Sequence, residues 1–95
     1  MRRYYVYIIT NVHKTVLYTG MTNNLRRRMQ EHRMSVVAKK SFAGKYGCIY
    51  LLFLEEYMFV QDAINREKEI KRWPRQRKEE LIVTQNPDWR FIDVY

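Results

Sequence analysis

A few side chains in this 95-residue chain sit where their neighbours give no reason for them. Glu67 falls inside an apolar stripe of Val60, Ala63, Ile64 and Ile70, residues that recur at helical spacing. It stands four residues past Ala63 and three before Ile70, so a helix would carry its carboxylate on the inward side. A charge buried there without a partner costs several kcal/mol. Either an ion pair at the edge of the stripe satisfies it, or it meets a cation or metal in a cleft. Arg28 and His32 form a second anomaly: they lie one helical turn apart, beside the apolar Leu25 and Met29. A guanidinium forks onto two oxygens, so an Arg with a nearby His suits phosphate chemistry. The bland alternative is a solvated basic helix with a core-edge histidine.

Several elements are needed to bring these residues together. Residues 4–10 are rich in β-branched and aromatic side chains and read as a strand, with 16–21 returning beside it. A pairing of Ile9 with Val16 sets Tyr7 opposite Tyr18 and Tyr5 opposite Gly20. Asn23 or Asn24 can cap a helix over residues 25–34. Residues 35–47, with Gly44 and Gly47, read as a loop, and 48–56 as a buried central strand. A helix is expected over 58–73, broken at Pro74, and a shorter one over 76–83. Asn86-Pro87-Asp88 reads as a turn, and the tail from Trp89 must dock its aromatics. The order β-β-α-β-α-α with short joints predicts one α/β layered domain, α+β in type, around a small, mainly antiparallel sheet spanning residues 1–95.

Composition narrows the partner. Eighteen Lys and Arg against ten Asp and Glu give a formal charge of +8, with 46% apolar and 15% aromatic residues, too many for a disordered basic tail. Most of the basic residues lie in two stretches, 26–45 and 66–78, with Phe42, Tyr46 and Trp73 interleaved. That pattern fits a nucleic-acid backbone better than a membrane surface. Neutralising four to six phosphates would give a log-log salt slope of roughly −4 to −5. The one cysteine, Cys48, leaves no internal disulfide, no Cys/His cluster has zinc spacing, and no apolar run could span a bilayer. The start lacks a signal-peptide core, so a soluble cytoplasmic location is expected. Cys48 and the five methionines read as core filler, and His13 as turn chemistry.

Taken in order, Tyr5-Val6-Tyr7, Tyr18-Thr19-Gly20, Arg28, His32 and Glu67 within Ala63-Ile64-Asn65-Arg66-Glu67 resemble the GIY-YIG nuclease domain, in its small stand-alone form. The likeness spans nearly the whole chain, and five separated positions agree in type and order. Val6 and Thr19 depart from the middle residues of the two name-giving motifs, and Tyr5 stands where the first has glycine. Asn86 matches a late asparagine of the family.

The resemblance implies a three-stranded antiparallel sheet flanked by helices and divalent-metal-dependent cleavage of DNA phosphodiesters, in repair or processing. It implies that Glu67 holds one Mg²⁺ or Mn²⁺ and that Tyr7 or Tyr18 activates the attacking water. Arg28 would stabilise charge on the phosphoryl oxygens, and His32 would orient a tyrosine or assist proton transfer. Gly20, Arg26, Arg27, Lys39, Lys40, Lys45 and Asn86 would then line the nucleic-acid side, with DNA preferred to RNA. The assignment is chemically coherent: a hydrated Mg²⁺ needs only one or two protein carboxylates. A phenol, with an ordinary pKa near 10, needs a neighbouring cation to act as a base. Two other readings compete: a non-catalytic nucleic-acid-binding module with the same fold, and a protein–protein adaptor docking through exposed aromatics.

Overall fold

Among the described residues, the longest uninterrupted buried run, Val6 to Thr10, lies in the strand that becomes the middle of the sheet. In the structure, a computed structural model that describes residues 3–39 and 42–94, strand β1 (Tyr4–Thr10) pairs antiparallel with β2 (Leu17–Thr22) on one side and β3 (Tyr50–Tyr57) on the other. The strand order is β2-β1-β3. The expected central strand is therefore an edge strand. β1 takes the centre because both its faces are apolar, with Val6 and Ile8 turned one way and Tyr7 and Ile9 the other, all fully buried.

The hairpin register differs from the expected one by two residues. Tyr7 faces Gly20, Ile9 faces Tyr18 and Tyr5 faces Thr22. The cause is the loop over 11–16, which the Asn11 side chain closes by accepting from the backbone N–H groups of Thr15 (2.8 Å) and Val16 (3.1 Å). Lys14 takes a left-handed conformation to complete it. A two-residue slip preserves the faces of the strand, so Tyr7 and Tyr18 still share one side, as diagonal neighbours.

Helix α1 (Leu25–Ala38) packs on the Tyr7 face, followed by a one-turn helix α2 (Phe42–Lys45). The Asn24 side chain caps α1 by accepting from Arg27 N–H at 3.1 Å. The helix runs one turn beyond the expected end at Met34, because nothing in residues 35–38 breaks it before left-handed Lys39. Gly44 allows α2 to approach: a Cβ there would lie 2.4 Å from the Ser35 carbonyl oxygen. The expected loop over 35–47 is thus partly helical.

The opposite face is covered by α3 (Val60–Arg72) and α4 (Arg75–Gln85), which bury Ala63, Ile70 and Ile82 against Val6, Ile8, Leu52 and Phe53. A bulge in β3, between the pairs Ile8–Phe53 and Ile9–Leu51, explains three successive buried residues there. Leu51 joins the Tyr7 side, whereas Leu52 and Phe53 join the α3 side. The tail returns along β3, where Ile92 N–H donates to the Leu51 carbonyl at 2.8 Å and Phe91 stacks on Tyr50. The methionines are not uniformly core: Met29 is buried, but Met34 and Met58 are 72% and 54% exposed. Among the described residues no helix is long and apolar enough to cross a membrane.

Candidate active site

Tyr7 anchors the site. Its ring lies across Gly20, where an added Cβ would come within 2.3 Å of the hydroxyl and 2.4 Å of Cζ. Gly20 is therefore needed as a floor beneath the ring, and its backbone is ordinary strand. From that position the Tyr7 hydroxyl is hydrogen-bonded to His32 Nε2 at 2.8 Å and accepts from Arg28 Nε at 3.3 Å. Arg28 and His32 reach the same atom because they are one turn apart on the inward side of α1.

Tyr18 meets the same imidazole. Its ring centroid lies 5.6 Å from that of His32, edge to face, and Tyr7 makes the matching contact at 5.7 Å. The Lys71 ammonium stands over the Tyr18 ring, 5.9 Å from its centroid, and 3.5 Å from Glu67 Oε1. Since α3 covers the other face of the sheet, this contact is made around the margin of the edge strand β2. The Glu67 side chain is 22% exposed, so its ion pair does not seal it from solvent.

Burial sets the electrostatics. It pushes the Tyr7 phenol up to about 12, opposed by the hydrogen bond and charge of Arg28 and reinforced by Tyr18 and Glu67. Burial, with the Arg28 charge beside it, pushes His32 down to about 4. Near neutral pH, Tyr7 and His32 are both uncharged, and Arg28 is the cation between them and solvent. Thr19, opposite Ile8 on the α3 side, buries a hydroxyl that has no hydrogen-bond partner among the described residues.

Tyr7, Tyr18, Arg28 and His32 thus meet through shared contacts, and Glu67 joins them through Lys71. Lys71 was missed by sequence reasoning, though its place four residues after Glu67 was a signal for pairing. The remaining residues scatter. Arg26 and Arg27 are exposed on the first turn of α1, Lys39 ends that helix, and exposed Lys45 lies over the Tyr46 ring. Lys40 and the Phe42 side chain lie outside the described residues. The Asn86 amide is committed to the backbone, donating to the carbonyls of Leu52 (3.0 Å) and Arg90 (2.8 Å) while its oxygen accepts from Arg90 N–H. It fastens α4 and the tail to the β3 bulge.

The two basic stretches do not form one track, because α1 and α3 lie on opposite faces. Much of the second is engaged internally: Arg66 pairs with Glu55 and Glu69, Arg66 and Arg77 flank Trp73, and Arg75 donates to the carbonyls of Lys14 and Thr15.

The GIY-YIG catalytic domain matches residues 3–80, and the chain belongs to that nuclease family. Within it, the chain is 38% identical over 96 residues to a UPF0213 protein of Syntrophus aciditrophicus, covering 93% of this chain and 98% of that protein. A UPF0213 protein of Oceanobacillus iheyensis is 34% identical over 86 residues, covering 90% and 96%. The solution NMR structure of a UPF0213 protein from Bacillus halodurans matches the fold with a TM-score of 0.58 at 26% identity, covering 92% of this chain and 89% of that one.

Proposed function

We propose that this protein is a divalent-metal-dependent DNA endonuclease, working at the β2 margin of the sheet. The observation that carries this reading is the Tyr7 hydroxyl held between Arg28 and His32, with Tyr18 on the same imidazole and Glu67 at the margin. Arg28 spends Nε on Tyr7 and one terminal nitrogen on Glu31, and is otherwise part-exposed, so it can fork onto a phosphate.

The two phenols divide the work. Tyr7 is fully buried and hard to ionise, which suits an anchor that aims Arg28 and His32. Tyr18 is only part-buried and has the Lys71 cation over its ring, which suits the phenol nearest the attacking water. His32, uncharged near neutral pH and hydrogen-bonded to the Tyr7 hydroxyl, orients that tyrosine.

A hydrated Mg²⁺ or Mn²⁺ fits the donor set. Glu67 is a hard oxygen ligand in contact with solvent, and among the described residues no group of three His, Cys, Asp or Glu could cage a metal. Mg²⁺ keeps most of its waters and needs only one or two carboxylates. When bound, the ion would polarise a phosphoryl oxygen and lower the pKa of a coordinated water. The buried free thiol of Cys48 agrees with a reducing, cytoplasmic setting.

The test is incubation with single-stranded, duplex, nicked and branched DNA, and matched RNA, with Mg²⁺ or Mn²⁺. Cleavage of DNA that requires the metal and is abolished by Glu67→Ala is expected. Salt-sensitive binding without cleavage of any substrate would replace the enzyme by a binding module.

A further inference from the structure

Lys71 touches both a proposed metal ligand and a proposed base. Its ammonium is 3.5 Å from Glu67 Oε1 and 5.9 Å from the Tyr18 ring centroid. The two partners differ in accessibility: the Lys71 side chain is 48% exposed and that of Glu67 only 22%. A long, mobile ammonium on the solvent side of a shielded carboxylate lies on the approach to that carboxylate. Pairs of this kind, four residues apart on a helix, are weak and exchange readily. Lys71 is thus placed where it can satisfy Glu67 without holding it permanently.

We propose that Lys71 is an internal competitor for the metal site: its ammonium neutralises Glu67 in the metal-free protein and gives up the carboxylate when a divalent cation arrives. Resting on the nuclease reading above, this adds a residue that sets how much metal the site requires. Without a counterion, Glu67 would be an uncompensated carboxylate set among Ala63, Ile70 and their neighbours. With a tight one, such as a bidentate arginine, the metal would be shut out. A single lysine bond at 3.5 Å lies between these extremes.

The competition is measurable without any nuclease assay. Mn²⁺ binding is followed by loss of the free-ion electron paramagnetic resonance signal, at low ionic strength, on the wild type, Lys71→Gln, Lys71→Arg and Glu67→Gln. Melting of each variant in EDTA checks that it is folded. Removing a competitor of this class should tighten Mn²⁺ about two- to fivefold in Lys71→Gln. Lys71→Arg, which retains the charge, should bind no more tightly than the wild type, and Glu67→Gln should lose the site. Equal or weaker Mn²⁺ binding in Lys71→Gln, with binding still dependent on Glu67, overturns the competitor and leaves the metal site standing. No saturable binding in any variant overturns both.

Discussion

Replacing Gly20 with alanine tests the foundation of the site in one methyl group. The new Cβ would sit 2.3 Å from the Tyr7 hydroxyl, 2.4 Å from Cζ and 3.0 Å from Cε1. Comfortable carbon contacts begin near ~3.5 Å, so the ring must retreat by about an ångström. It has nowhere to go, because Tyr7 is fully exposure-free within the cluster of Ile9, Met29 and Leu51. Elsewhere in a strand a Gly→Ala change would gain about 0.4–1 kcal/mol from the unfolded chain. Here overpacking costs about 1–3 kcal/mol. Breaking the bond to His32 leaves a buried nitrogen unpaired, for about 1–3 kcal/mol more. The expected net loss is about 2–4 kcal/mol, read as a shift in the urea midpoint. NMR titration should show His32 rising from about 4 toward its ordinary 6.5 as the displaced ring opens its pocket. Adding Tyr7→Leu should recover part of the lost stability, so the two changes are non-additive. Stability within about 0.5 kcal/mol of wild type, with His32 still depressed, would refute the close-approach argument.

Two further outcomes follow from buried polar groups. His32 is depressed in the fold, so the unfolded chain binds the extra proton first: its stabilisation is complete above pH 6.5 and is lost as pH falls toward 4. At 1.36 kcal/mol per pH unit this amounts to about 3 kcal/mol, and urea melts at pH 7 and pH 4.5 should show most of it in wild type and little in His32→Phe. Thr19→Val removes a buried hydroxyl without a partner, so it should stabilise by about 1 kcal/mol in urea; a loss of stability instead would mean the hydroxyl is satisfied.

Features written in local pattern were legible from sequence, and features decided by a single side chain reaching across space were not. β1, the Asn24 cap and the incongruity of Glu67 all show as spacing. The hairpin register does not, because it depends on Asn11 folding back onto Thr15 and Val16. The central place of β1 was masked by the equally apolar 48–56 run, whose extra residue is absorbed in a bulge. Of the five candidate site residues, Glu67, Arg28 and His32 stand out by pattern, and Tyr7 and Tyr18 gain roles only through the family resemblance. Burial on one helical face singled out His32 and Glu67, but nothing local tied Tyr7 to either. Charge runs point to a nucleic-acid partner but not to their own placement: on a two-faced sheet, stretches close in composition end up on opposite sides.

The central position of β1 also explains how the site is fixed by the core. A loop-borne tyrosine would need a further layer of residues to fix it. Here the ring that packs the core also carries the hydroxyl that fixes Arg28 and His32, so core packing and site geometry are a single set of contacts. The consequence is a division between fixed and adjustable parts. Changes at Tyr7, His32 or Gly20 cost stability, since all three are buried and Tyr7 packs against both of the others. Arg28, Tyr18, Glu67 and Lys71 lie at the part-exposed or exposed margin, where substitutions cost little folding energy. Variation in activity among such domains should therefore arise at the β2 margin, and variation in stability beneath it.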